Sequence, residues 1–298
     1  MAILVGKGSQ VLIQGITGRE ATMVTKQMLD YGTPVVAGVT PGRGGQNVDG
    51  VPVYDTIKAA CKDHQLNTSI VYVPPAAVLD AVLEAVDNGI ELIIIITENI
   101  PQMDALKLLQ PAQARGVQII GPNSVGIISP AERCKLGAIG GDKVERCFVP
   151  GTVGVISRSG GMTAECSWMV KRAGYGVSTS VSIGGDALIG TKPHTLLPLF
   201  EQDDLTEAVV LFAEPGTGFE EQVSASLESG EFSKPLIAYV AGRFTEHLPS
   251  GTVFGHAAAM IEGDAGRPSS KIERLSQAGA LVAEQFDEII PLLQQALR

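Results

Sequence analysis

The 298-residue sequence predicts an α/β protein made of two doubly wound units. Three observations predict it. Short runs rich in Val and Ile recur along the chain, each followed by a stretch with helical spacing of apolar residues. The 35 glycines are spread along the chain, as many tight strand-to-helix turns require. The alternation pauses at residues 124–150, where Gly and polar residues are frequent, and then restarts. A chain of this length can bury a core in each unit.

The first unit covers residues 1–123. Residues 11–15 (Val-Leu-Ile-Gln-Gly) read as a buried strand and 19–31 as the helix after it. Further strands are expected at 35–39, 69–73, 92–96 and 117–120, with helices at 56–63, 76–88 and 103–115. Such an order gives a parallel sheet, whose ligands collect outside the carboxyl ends of the strands. The first of those ends is Gly15-Ile16-Thr17-Gly18-Arg19-Glu20-Ala21. Glycines there let backbone N–H groups approach a phosphate at a helix N-terminus, although a bare tight turn has the same look. At the end of the second strand an NAD-binding fold places an acidic residue for the ribose. This chain has Gly38-Val39-Thr40-Pro41-Gly42-Arg43-Gly44-Gly45 instead. A cation in a glycine loop suits a phosphorylated ribose or another phosphate, which leaves NADP and coenzyme A open. Ile96-Thr97-Glu98 and Gly121-Pro122-Asn123 end later strands and face the same crevice. Pro and Asn in such places also serve simply to stop strands and cap helices.

The stretch 124–150 reads as a connection, and the second unit covers 151–298. Strands are expected at 153–157, 177–181, 208–213, 236–240 and 281–283. Helices are expected at 163–173, 195–202, 220–227, 272–278 and 286–297. Ser157-Arg158-Ser159-Gly160-Gly161 opens one helix with hydroxyls and free amides, a favourable place for an anion. Ile183-Gly184-Gly185-Asp186 is a second small loop, and Glu214 closes the buried strand 208–213. His256 stands between small residues in Gly255-His256-Ala257-Ala258-Ala259. Packing or capping explains a lone His or Glu equally well. Together, a His, a carboxylate to orient it and an anion-binding helix end describe an imidazole that carries a phosphoryl group.

The net charge of −10 argues against a nucleic-acid partner, which needs clustered Lys and Arg. Cys61, Cys134, Cys147 and Cys166 lack CxxC spacing, so neither a disulfide framework nor a metal site is expected. The start of the chain lacks the apolar core of a signal peptide, and residues 92–96 are too short to span a bilayer. A cytoplasmic protein, or the mature form of an organelle protein, is expected, with no membrane partner.

In order and number, several pieces resemble the alpha subunit of succinyl-CoA synthetase (succinate–CoA ligase) along essentially the whole chain. They are Gln14-Gly15-Ile16-Thr17-Gly18, the Gly38–Gly45 loop, Ile96-Thr97-Glu98, Gly121-Pro122-Asn123, Ser157-Arg158-Ser159-Gly160, Ile183-Gly184-Gly185-Asp186 and Gly255-His256-Ala257. The resemblance implies an N-terminal Rossmann-like CoA-binding domain followed by a flavodoxin-like ligase domain. It implies coenzyme A contacts at Thr17, Gly18, Arg19, Glu20, Arg43, Ile96, Thr97 and Glu98. It also implies transient phosphorylation of His256, with Glu214 beside it, a phosphate cradle at Ser159-Gly160, and Asn123 near the substrate. ATP or GTP with magnesium would bind chiefly to an ATP-grasp beta subunit, in an alpha–beta or alpha2–beta2 assembly in a bacterial or archaeal cytosol.

The departures from the family concern the coenzyme A contacts and the substrate. Arg43 replaces the usual Lys, Glu20-Ala21 the usual Gln-Gly, and Ser124 the usual Cys. Ser159-Gly160-Gly161-Met162-Thr163-Ala164-Glu165 replaces the usual Ser-Gly-Thr-Leu-Thr-Tyr-Glu. Ala164 thus stands for a tyrosine near the acid substrate, and Gly161-Met162 resembles ATP-citrate lyase and citryl-CoA synthetase. Succinate is the default acid, with malate, citrate and sulfonated acids as alternatives. The rival readings are an NADP-dependent oxidoreductase and a non-catalytic CoA-binding regulator.

Overall fold

The computed structural model describes residues 2–248, 256, 261 and 266–298. The first sheet is built from β1 (Val11–Gln14), β2 (Val35–Val39), β3 (Asn47–Val48), β4 (Val51–Tyr54), β5 (Thr68–Val71), β6 (Leu92–Ile95) and β7 (Gln118–Ile120). Between these strands run α1 (Arg19–Tyr31), α2 (Ile57–Ala60), α3 (Val78–Asp87) and α4 (Gln102–Ala114). The strand order is β3-β4-β2-β1-β5-β6-β7, parallel except for the β3–β4 pair. The chain leaves β1 towards β2 and returns on its other side as β5, so the reversal of order opens a crevice at the end of β1.

Every residue of β1, β5 and β6 is buried, because helices cover both faces of the sheet. On α3 the buried residues are Val78, Ala81, Val82, Ala85 and Val86, one helical stripe facing the core. Each fully buried valine of that stripe contributes roughly 1.5–3 kcal/mol.

The second sheet takes β8 (Gly126–Ser129), β9 (Cys134–Leu136), β10 (Pro150–Ser157), β11 (Val177–Ser182), β12 (Ala208–Ala213), β13 (Leu236–Val240) and β14 (Leu281–Ala283). Its helices are α5 (Gly160–Arg172), α6 (Pro193–Gln202), α7 (Phe219–Glu228), α8 (Pro268–Gln277) and α9 (Ile289–Ala296). The order is β14-β13-β12-β10-β11-β8-β9, with β8 and β9 antiparallel to their neighbours. A second reversal therefore lies at β10, between β11 and β12.

Three expectations need correction. Residues 124–150, expected as a plain connection, supply β8 and β9 to the edge of the second sheet. The segment is too short and too rich in glycine to show a strand period, and only pairing with β11 makes it a strand. The β3–β4 hairpin also escapes periodicity for lack of length. The helix expected at 286–297 is a tight 3-10 turn, Phe286–Glu288, followed by α9. The doubly wound α/β architecture of both units is as expected.

The two units are stitched together at the ends of β7 and β11. Gly121 N–H donates to the Ile183 carbonyl at 3.1 Å, and Gly190 N–H donates to the Gly121 carbonyl at 2.9 Å. Thr33 Oγ1 both donates to the Lys135 carbonyl and accepts from Lys135 N–H, at 2.9 and 3.0 Å. One apolar cluster runs from Val11 and Ile13 through Ile127 and Leu136 to Ile156 and Val181. The carboxyl ends of β1, β6 and β7 thereby face the loops that follow β10 and β11.

Candidate active site

A crevice of about 1130 Å³ runs along these strand ends. At one end it is lined by Gly15, Thr17, Gly18 and Glu20, in its middle by Ile96, Thr97, Glu98 and Asn123, and at the other end by Gly160 and His256. Nine of the residues expected to form the site, drawn from widely separated motifs, thus line one crevice. Gly15 has φ +81°, and a Cβ there would lie 2.8 Å from the Tyr72 carbonyl oxygen. Only glycine lets the first turn pass so close under β5 and leave the start of α1 open. Thr17 and Thr40 hydroxyls meet at 3.2 Å and tie that turn to the end of β2.

Arg19 and Arg43 are not among the residues lining the crevice. Both are exposed, Arg19 on the first turn of α1 and Arg43 on the loop after β2. Among the described residues the crevice wall carries Glu20, Asp80, Glu84 and Glu98 and no Lys or Arg.

Tyr72 lines the same crevice without a motif of its own. Its hydroxyl is buried with no hydrogen-bond partner among the described residues. Burial, reinforced by Glu20, pushes this phenol well above its usual pKa. Tyr72 lies just past β5 on the same face as Ile70 and packs against the same apolar cluster.

At the far end, His256 Nδ1 lies 2.8 Å from Glu214 Oε2. The carboxylate is delivered by the end of β12, and its side chain is 11% exposed against 26% for the imidazole. A carboxylate only accepts, so Nδ1 is the donor of this pair, which in the neutral ring leaves the lone pair on Nε2. The floor under the ring is Gly185: a Cβ there would lie 2.5 Å from His256 Cδ2 and 2.6 Å from Nε2. Its N–H donates to the Asn123 carbonyl at 3.0 Å, and Asn123 N–H donates to the Thr97 carbonyl at 2.9 Å. Asn123 Nδ2 also donates to Asp186 Oδ1 at 3.1 Å. Burial raises the Asp186 carboxyl above its ordinary pKa, against the bond from Asn123 and the nearby imidazole.

Ser159 caps α5, its Oγ accepting from Met162 N–H at 3.4 Å, while Gly160 reaches the crevice. Ala164 lies one turn further along the same face and does not line the crevice. It packs against the cluster of Ile128, Ile139, Val144 and Phe148, which Val125 joins from the crevice wall. The small flanks of His256, residues 255 and 257–259, lie outside the described residues. Among the described residues no group of three or more His, Cys, Asp or Glu could hold a metal ion. No described helix is long and apolar enough to cross a membrane.

The family described as CoA binding domain matches residues 7–99, and that described as succinyl-CoA ligase like flavodoxin domain matches residues 150–296. The chain is 45% identical over 297 residues to a subunit alpha 2 of ADP-forming succinate–CoA ligase from Archaeoglobus fulgidus, covering 100% of both chains. It is 41% identical over 297 residues to an ADP-forming sulfoacetate-CoA ligase subunit from Bilophila wadsworthia, again covering 100% of both. Among solved structures, ATP citrate lyase of Methanosaeta concilii superposes with a TM-score of 0.92 at 24% identity. That match covers 99% of this chain but 50% of the lyase chain, and it speaks for the fold alone. The two domains that build the crevice, met in this order and at this identity, place the chain in the family of alpha subunits of ADP-forming acid–CoA ligases, the succinate–CoA ligase family.

Proposed function

We propose that the chain is the phosphoryl-carrying alpha subunit of a succinate–CoA ligase, acting through a phosphohistidine at His256 and an acyl phosphate. The observation that carries this reading is the Glu214–His256 pair at one end of a crevice whose other end is the glycine turn of the CoA binding domain. The oriented Nε2 lone pair attacks the terminal phosphorus of ATP or GTP, and the nucleoside diphosphate leaves. A carboxylate oxygen of the acid then attacks that phosphorus, and the N–P bond breaks. The CoA thiolate attacks the carbonyl carbon, and inorganic phosphate departs with the bonding pair. Ser159 and Gly160, at the positive end of α5, stand where a phosphoryl group on His256 meets free amides.

Coenzyme A suits Thr17, Gly18, Glu20, Ile96, Thr97 and Glu98 along the wall, with Arg19 and Arg43 meeting its phosphates at the rim. The nucleotide and magnesium belong to an ATP-grasp beta subunit, and the assembly works in the cytoplasm. The alpha-subunit relatives and the shortage of cations in the crevice support that division.

A sulfonated acid is the second reading, favoured by full-length sulfoacetate-CoA ligase relatives at 40 and 41% identity. The test is the co-expressed alpha–beta pair with γ-labelled nucleotide and a panel of succinate, malate, citrate and sulfoacetate. Acid-labile label that is lost in His256→Ala but kept in His247→Ala is expected, with thioester formed from succinate. Labelling that survives His256→Ala overturns the mechanism. Turnover on sulfoacetate and none on succinate replaces the first substrate by the second.

A further inference from the structure

Arg158 is among the most deeply buried charged residues of the chain, 2% exposed, at the junction of β10 and α5. Nothing in the phosphoryl-transfer reading uses it. Its Nη2 donates to the carbonyls of Gly185 and Asp186 at 3.3 and 3.2 Å. Those two residues form the loop on which the His256 ring rests. The guanidinium lies 5.4 Å from the centre of the Phe219 ring, at the start of α7. Its Nε and Nη1 are buried and find no acceptor among the described residues.

The charges around it come from four elements. Glu214 at the end of β12, Glu220 on α7 and Asp186 after β11 all face the guanidinium and offset its loss of solvation. Lys271 on α8 pairs with Glu220 from behind. A buried guanidinium is costly unless carboxylates and acceptors surround it. Here three carboxylates offset the charge and two carbonyls accept from Nη2, and one of the carboxylates is Glu214, which meets the imidazole.

The geometry points to Arg158 as the positioning residue of His256: it clamps the Gly185-Asp186 floor through two carbonyls and sets a fixed positive charge behind the Glu214 carboxylate. This rests on the reading of His256 as the phosphoryl carrier. A planar fork is suited to both tasks at once, because one arm can bridge adjacent carbonyls while the delocalised charge faces the carboxylate. A lysine ammonium supplies the charge, but on a shorter side chain that lacks the planar fork. An amide supplies neither in full. The series Arg, Lys, Gln therefore separates the two contributions.

The experiment uses the intact alpha–beta complex of wild type, Arg158→Lys and Arg158→Gln. Rapid-quench labelling with γ-labelled nucleotide gives the rate of His256 phosphorylation and the KM for nucleotide. Ring-nitrogen NMR of the four histidines, assigned with His256→Ala, gives the tautomer of His256. Arg158→Gln is expected to slow labelling roughly 10–100-fold with KM changed less than about threefold, as for residues that orient a reactive ligand from behind. Its His256 nitrogen shifts should move towards a tautomer mixture. Arg158→Lys is expected to keep the wild-type tautomer and fall between the two in rate. Labelling of Arg158→Gln at the wild-type rate, or slow labelling with unchanged nitrogen shifts, overturns the proposal. If Arg158→Gln does not fold, Arg158→Lys decides alone: wild-type rate overturns, a lower rate at unchanged KM supports. Wild type that takes no label overturns the phosphohistidine reading itself, a result distinct from all of these.

Discussion

Glu214 Oε2 and His256 Nδ1 stand 2.8 Å apart although 42 residues separate them in the chain. The end of β12 brings the carboxylate, and Gly185 after β11 supplies the floor, so two separate strand ends seat the ring. Glu214→Gln keeps the size of the side chain and removes its charge. The amide can turn its N–H₂ to Nδ1 and favour the wrong tautomer. Labelling of His256 in the complex is expected to fall by roughly 10–100-fold, with the chain as stable to urea as wild type. Retention of the wild-type rate would show that the pair does not orient the ring.

Gly185→Ala tests the floor. The backbone accepts alanine there, but the new Cβ would sit 2.5 Å from the imidazole Cδ2, so the ring must leave its seat. A displacement of about 1 Å is enough to cost about 100-fold in phosphorylation rate. Circular dichroism and the urea midpoint should change little, since the clash is with a side chain that is itself part-exposed.

Lys271 and Glu220 form an ion pair whose side chains are 0% and 2% exposed, with Thr217 also accepting from Lys271 at 2.9 Å. Burial pushes the Glu220 carboxyl up while Lys271 opposes it. Lys271→Met leaves that carboxylate buried and unpaired and is expected to destabilise the chain by about 3–5 kcal/mol. Lys271→Met combined with Glu220→Leu should cost clearly less than Lys271→Met alone. Urea unfolding of the two single variants and the double variant measures the coupling directly.

Lys135 donates to the carbonyls of Ile139 and Gly141 at 3.3 and 2.5 Å, and burial lowers its pKa from 10.5 to about 8, with Asp142 opposing. The unfolded chain therefore holds more protons than the folded one between about pH 8 and pH 10.5. Stability from this group rises with pH across that window and is at its lowest below it. The urea-unfolding free energy of wild type minus that of Lys135→Met should grow more positive from pH 8 to pH 10.5. A difference that is flat across the window would show that Lys135 titrates in the folded chain as it does in water.

Much of this protein could be read from its residues alone. Val and Ile runs such as Leu92–Ile95 declare buried parallel strands, since only a sheet covered on both faces tolerates them. The glycine turn at Gly15, the Ser159 cap and the Glu214 strand end are local features, and local chemistry fixes them. The motifs that carry the family resemblance are of this kind.

Tertiary structure decided what those motifs do together. Residues 126–136 become strands only against β11, because their pairing partner lies far along the chain. Thr97, Asn123, Gly185 and Arg158 form one hydrogen-bonded chain from the crevice wall to the loop beneath the imidazole, and no spacing in the sequence announces it. Arg19 and Arg43 are exposed and do not line the crevice, while Tyr72 does, a matter of loop direction. Sequence determines which groups are available at each strand end. Contacts between distant segments, which no local propensity encodes, determine which of them face one another.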